Sequence, residues 1–334
     1  MPLISVCFLL RTVQQCVWVL VLAVAVGVYF IPSPIDPEPF IFEGPPPALE
    51  GPLAVNTRLQ RGRRLFAGQL KGPESFTADQ NGNVYTGTVD GKLWRINNET
   101  LTFITQMGQN LPECGTSTDY EPVCGRPHGL RLDRHGQLIV ADSYFGLFKV
   151  DPWTGQKTLL HSSKEGFVRT LLDSLYMPNG FAFSADEDFL VLAETSIGHI
   201  SRFWLKGHKA GTKETAMNNM VGYPDNIRIS DHGTFLVGIN TVRFRGRLLP
   251  PFLDLLAPYP ALKCFVVIPL GWYDALLPSY GLVLELGPDR QLLDSLHDPT
   301  GTLTWAISDV FQQRGIYYLG NTDLPFLAVL DQWS

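Results

Sequence analysis

No block of basic residues interrupts this sequence. Charged side chains make up 17% of its 334 residues, and the net charge is −6. A nucleic acid would find no stripe of counter-charge here, which argues against that class of partner. Cysteine is scarce as well: five residues are too few for a disulfide-built scaffold of this length. Between Arg11 and Arg58 there is no basic residue at all. That interval contains an unbroken apolar run from Cys16 to Ile31, and no small-x-small cleavage site follows it. With Val13-Gln14-Gln15 included, the run reaches about the twenty residues that span a bilayer. The h-region of a cleaved signal peptide is shorter. Positive charge on the amino-terminal side alone orients such an anchor. Residues 1–12 are then cytosolic, 13–31 form a transmembrane signal anchor, and the rest is lumenal or extracellular. This is the topology of a single-pass type II protein of the endoplasmic reticulum or plasma membrane. Residues 32–60 form a proline-rich spacer around Pro45-Pro46-Pro47, of a composition that is extended and semi-rigid.

What the sequence does have is a phrase that recurs over residues 61–334. It consists of a proline, a polar residue and an apolar strand. Copies read Pro73-Glu74-Ser75-Phe76, Pro127-His128-Gly129-Leu130, Pro178-Asn179-Gly180-Phe181 and Pro224-Asp225-Asn226-Ile227. Each leads into a second short strand, as in Asn83-Val84-Tyr85 and Gly136-Gln137-Leu138-Ile139. A fifth copy, from Leu303 to Gly320, lacks the proline. Short alternating strands repeating roughly every fifty residues are the signature of propeller blades. The fold expected is an all-β propeller with five recognisable blades. A strand near Arg64-Leu65-Phe66 is placed to complete the last one.

The first strand of each blade lines the central axis, so equivalent positions converge there. Those positions are Glu74, His128, Asn179 and Asp225, with Asn226 adjacent. Two carboxylates and two amides suit a hard divalent cation such as calcium. The competing reading is that each caps its own turn, as Asp and Asn after proline commonly do. Asn98-Glu99-Thr100 is the single N-glycosylation sequon. Cys114 and Cys124 bracket a polar loop, and a lumenal setting predicts a bridge between them. Residues 245–279, rich in leucine, proline and aromatics, fit no strand period. They predict a short helical excursion, read either as a lid, as a membrane-resting patch, or as packing on the propeller side.

Gly125-Arg126-Pro127, Val140-Ala141-Asp142, Pro178-Asn179-Gly180, Ala193-Glu194-Thr195, Pro224-Asp225-Asn226-Ile227-Arg228 and Leu296-His297-Asp298-Pro299 resemble the strictosidine synthase-like family. More distantly the pattern is similar to paraoxonases and gluconolactonases, six-bladed propellers with a central divalent metal. The resemblance implies a membrane-anchored glycoprotein with weak arylesterase- or lactonase-type activity on small apolar substrates. It also implies Glu74, Asn179, Asp225 and Asn226 as metal ligands and His128 as general base. Two departures stand out. The third family blade opens with Phe-Val-Asn-Asp and supplies one more ligand. Here Phe167-Val168 continues as Arg169-Thr170 and reaches Pro178 at once, so one blade of the six is lacking. Trp305 stands where the synthases carry a catalytic glutamate, and an indole cannot replace that carboxylate. A calcium-dependent ester hydrolase is therefore one expectation. A non-catalytic binding or scaffold propeller with a structural metal is the other.

Overall fold

Short strands bounded by Gly, Asn and Asp turns bury their apolar positions by pairing into small sheets that stack face to face. The computed structural model describes residues 2–29, 38–164, 170–244, 252–260, 262 and 277–333. Among these residues are five antiparallel four-stranded sheets. A lone strand, β1 (Arg63–Leu65), precedes the first blade: β2 (Phe76–Ala78), β3 (Val84–Gly87), β4 (Lys92–Asn97) and β5 (Thr100–Gln106). The second comprises β6 (Pro127–Leu132), β7 (Leu138–Asp142), β8 (Gly146–Val150) and β9 (Lys157–Ser162). The third comprises β10 (Pro178–Phe183), β11 (Phe189–Glu194), β12 (His199–Trp204) and β13 (Lys213–Met217). The fourth comprises β14 (Gly222–Ile229), β15 (Phe235–Val242), β16 (Gly281–Leu286) and β17 (Leu292–Asp298). In the fifth, β18 (Ile307–Gln313), β19 (Ile316–Asn321) and β20 (Leu327–Leu330) are completed by β1, which pairs with β20 with Arg63 opposite Val329. The strand expected near Arg64 thus joins the two ends of the domain in one sheet.

Among the described residues, four apolar clusters fill seams between blades. Tyr85 and Leu93 meet Leu130 and Val140 between the first and second. Val191 and Ile200 meet Ile227 and Val237 between the third and fourth. Leu236 and Val283 meet Val310 and Leu319 between the fourth and fifth. Phe76 and Val84 meet Leu327 and Val329 between the fifth and first. Among the described residues no such cluster joins the second blade to the third, and β6 and β10 do not pack as the other inner strands do. Phe181 shows the consequence. It holds the same place in the repeat as Phe76, Leu130 and Ile227, which are 0%, 1% and 1% exposed, yet it is 46% exposed itself. Each of those three packs on the preceding blade, and among the described residues no preceding blade covers Phe181 in that way. Residues 165–169, where the resemblance leads one to expect a further blade to begin, lie outside the described residues.

Part of the expected spacer belongs to the propeller. Leu53 and Leu59 are buried. Asn56 bonds across β17, donating to Ser295 O at 3.0 Å and accepting from His297 N at 3.1 Å. Arg58 and Trp333, near opposite ends of the propeller segment, both donate to Asp294. The structure divides into two units, and this propeller is one, Glu43–Arg245 with Pro278–Ser334. The other, Met1–Phe42 with Gly246–Leu277, contains α1 (Pro2–Tyr29) and a short helix, Phe252–Leu256, within the expected helical excursion. The side chains of α1 are described for residues 11–23, 26 and 27, all exposed, with Val17, Trp18, Leu20 and Leu22 among them. Among the described residues no helix is long and apolar enough to cross a membrane.

Candidate functional site

The repeat phase does bring its polar residues together. Asp225, on the inner strand β14, is 4% exposed. Its Oδ2 accepts from Asn240 Nδ2 at 3.2 Å, while its Oδ1 is buried with no hydrogen-bond partner among the described residues. The amide of Asn179, from β10, lies beside the same carboxyl. Asn226 sits against Gly180 on the seam between β10 and β14. A Cβ on Gly180 would fall 2.3 Å from Asn226 Cα and 2.6 Å from its Oδ1, so only glycine permits this approach. Burial, and then the nearby charge of Glu74, push the Asp225 carboxyl well above the usual carboxylate range, and the two amides offset this only in part.

Glu74, just before β2, is also buried but differently partnered. Arg126 Nη2 donates to its Oε2 at 2.9 Å, and His128 Nε2 lies 3.0 Å from the same oxygen. Burial raises the Glu74 carboxyl, but His128 and Arg126 together more than offset this and hold it below its ordinary value. His128 Nε2 also lies 2.8 Å from Arg126 Nε, so it accepts from Arg126 when the imidazole is neutral and donates to Glu74 when it is protonated, and Ser143 Oγ stands 2.6 Å from Nδ1. Both imidazole nitrogens are therefore engaged, although the His128 side chain is 43% exposed.

No group of three or more His, Cys, Asp or Glu is gathered for a metal ion among the described residues. The donor set is instead two carboxylates with amides beside one of them. A buried carboxyl with an unpartnered oxygen, next to a second acid, fits a hard cation. The residues that sequence pattern missed are Arg126, Asn240 and Asp309. Arg228 Nε donates to Asp309 Oδ1 at 2.8 Å, and its Nη2 donates to Ser75 Oγ at 2.9 Å. Phe76 N donates to Asp309 Oδ2 at 3.1 Å, so this ion pair links β2, β14 and β18, and the Asp309 charge is felt at Asp225.

Away from the axis, Cys114 and Cys124 form the expected disulfide, with Cα atoms 5.8 Å apart. Asn98 lies exposed at the tip of the hairpin between β4 and β5, at φ 45°. A cavity of about 330 Å³ on the second blade, lined by Met107, Tyr144, Phe148 and Lys164 among others, includes none of the axial residues.

Comparison with known proteins identifies relatives of this chain. Residues 51–96 match the family model "Strictosidine synthase-like, N-terminal", and residues 146–208 match "Strictosidine synthase". The human adipocyte plasma membrane-associated protein is 36% identical over 358 positions, covering 89% of this chain and 84% of the relative. The corresponding Salmo salar protein is 32% identical, covering 93% and 88%. Among solved structures, a calcium-binding regucalcin from Agrobacterium tumefaciens aligns at TM-score 0.49 and 13% identity, over 80% of this chain and 92% of that one. The human match spans 358 positions but uses only 89% of the 334 residues here, so about sixty positions, a little more than one blade repeat, are filled in the relative alone. The chain belongs to the strictosidine synthase-like family, in the branch of the adipocyte plasma membrane-associated proteins.

Proposed function

We propose that this protein is a membrane-tethered propeller that binds a calcium-like divalent cation at its axis, through Asp225 and Glu74 with the amides of Asn179 and Asn226. The observation that carries the reading is Asp225 Oδ1, a buried acceptor with no partner among the described residues. An acceptor left so is costly unless a cation or a proton completes it. The tether is supported by the relatives' name, by the apolar run from Cys16 to Ile31, and by the exposed apolar side chains of α1.

A second reading, hydrolysis of small apolar esters or lactones, is favoured by His128, half exposed beside Glu74. A cation bound there would polarise a carbonyl and stabilise the oxyanion. For His128 to accept a proton from water, its Nε2 must first be released by Arg126. Trp305 at the synthase glutamate position speaks against carbon–nitrogen condensation. The test is calcium-dependent melting of the detergent-solubilised chain alongside hydrolysis of phenyl acetate. Calcium should raise the melting temperature of the wild type and leave Asp225→Ala unmoved. Equal shifts in both would place the ion elsewhere and end the axial reading. Calcium-dependent hydrolysis lost in His128→Gln would establish the second reading, and no hydrolysis by the wild type would remove it.

A further inference from the structure

We propose that Arg126 is a built-in competitor for the axial cation. It neutralises Glu74 when no ion is bound, and it sets the affinity of the site because it must move to Glu121 before an ion can use that carboxylate. The inference rests on the axial-site reading of Asp225 and Glu74. Arg126 reaches the axis from a fixed base. Gly125, at φ 91°, turns the chain out of the short helix α2 (Glu121–Cys124), and Arg126 N donates to Asp142 Oδ2 at 2.8 Å. The guanidinium is held less completely. Nη2 donates to Glu74 and to Thr322 O at 3.0 Å, and Nε donates to His128, but Nη1 is buried with no partner among the described residues. A second carboxylate is already in range, since Glu121 Oε1 lies 3.7 Å from Arg126 Nε. Both side chains are enclosed, 6% and 12% exposed, so water screens them little.

Charge balance links this arrangement to affinity. Calcium affinity in oxygen sites rises with the number of carboxylates that face the ion. With Asp225 ionised, as cation binding requires, Glu74 and Asp225 supply two negative charges, and Arg126 cancels one of them. A guanidinium and a divalent ion cannot share the Glu74 carboxylate in an enclosed site without strong repulsion. Cation binding must therefore break the Arg126–Glu74 pair, and Glu121 lets Arg126 do so without becoming an unpaired buried charge. His128 Nε2 loses its Arg126 donor in the same movement.

The experiment is calorimetric titration of the solubilised full chain with calcium chloride. Arg126→Met, which keeps bulk but removes charge, should bind about tenfold or more tightly than the wild type. Arg126→Lys should stay close to the wild type, and Glu121→Gln should bind more weakly. Equal or weaker binding by Arg126→Met overturns the proposal while leaving the axial site standing. No binding by either the wild type or Arg126→Met overturns both. Should Arg126→Met fail to fold, the wild type still decides. Its Arg126 Nε–H should exchange with solvent more readily, or shift its resonance, on calcium saturation. An unchanged signal at saturation overturns the proposal.

Discussion

Phe181 and Phe183 stand edge to face on β10 with ring centroids 5.9 Å apart, and both are nearly half exposed, at 46% and 45%. Being two residues apart, they share the face of the strand that a preceding blade would cover. An uncovered aromatic pair at a sheet face attracts hydrophobic ligands and other chains. Phe181→Ser with Phe183→Ser should lower binding of a hydrophobic dye and change stability by less than about 1 kcal/mol. Leu130→Ala, at the equivalent but fully buried place, should cost about 2–5 kcal/mol. If the Phe181 substitution proved as costly as the Leu130 one, the seam would have to be closed.

His297 is fully buried and held by Tyr280 Oη at 2.7 Å on Nδ1 and Ser295 Oγ at 2.8 Å on Nε2, while Ser295 Oγ donates on to Pro52 O. Burial first, and then the charge of Arg58, lower its pKa from 6.5 to about 4, against the opposing pull of Asp294. The unfolded chain then binds more protons between those values. Stability is complete above pH 6.5 and is lost as the pH falls toward 4, by about 3 kcal/mol from this residue. Urea unfolding between pH 7 and pH 4.5 should show that slope, and His297→Gln should flatten it. A variant with the same slope would mean that other groups carry it.

The Cys114–Cys124 bridge closes the loop that ends in α2, immediately before Gly125-Arg126. Replacing either cysteine by serine should cost about 2–3 kcal/mol, the range for a short closed loop. If Arg126 depends on that loop for its place, calcium binding should change along with stability. Unaltered melting under reducing conditions would show that hydrogen bonds such as Gln106 Nε2 to Cys124 O hold the loop unaided.

The blades were legible because a proline followed by alternating residues fixes strand phase locally. Phase alone therefore carried Glu74, His128, Asn179 and Asp225 to one region. A shortfall of residues after Phe167 was legible, although the exposure of Phe181 and Phe183 among the described residues was not. Arg126 gave no signal of its own. It stands one residue outside the repeat phase, and its partner Glu74 is 52 positions away. The latch of Asn56 on His297 spans 241 positions, so composition marked that segment as spacer while long-range hydrogen bonds bind it to the fourth blade. Pairings of this kind depend on blade stacking, which no local pattern encodes.

Arg228 and Asp309 provide the sharpest energetic test of how the axis is built. The pair is bidentate and almost wholly enclosed, with side chains 7% and 0% exposed. Removing one partner leaves an uncompensated buried charge, so Asp309→Ala should cost about 3–5 kcal/mol. Replacing both with apolar residues is often neutral where an ion pair stands alone. Here it should not be, because Asp309 also accepts from Phe76 N and Arg228 also donates to Ser75 Oγ. The buried Phe76 N–H would lose its acceptor, a cost of about 1–3 kcal/mol. Arg228→Met with Asp309→Leu should therefore recover part of the loss in Asp309→Ala and remain below the wild type. Chemical denaturation of the three proteins measures this directly. A double variant as stable as the wild type would show that Phe76 N finds another acceptor and that the pair's links to β2 contribute nothing to stability.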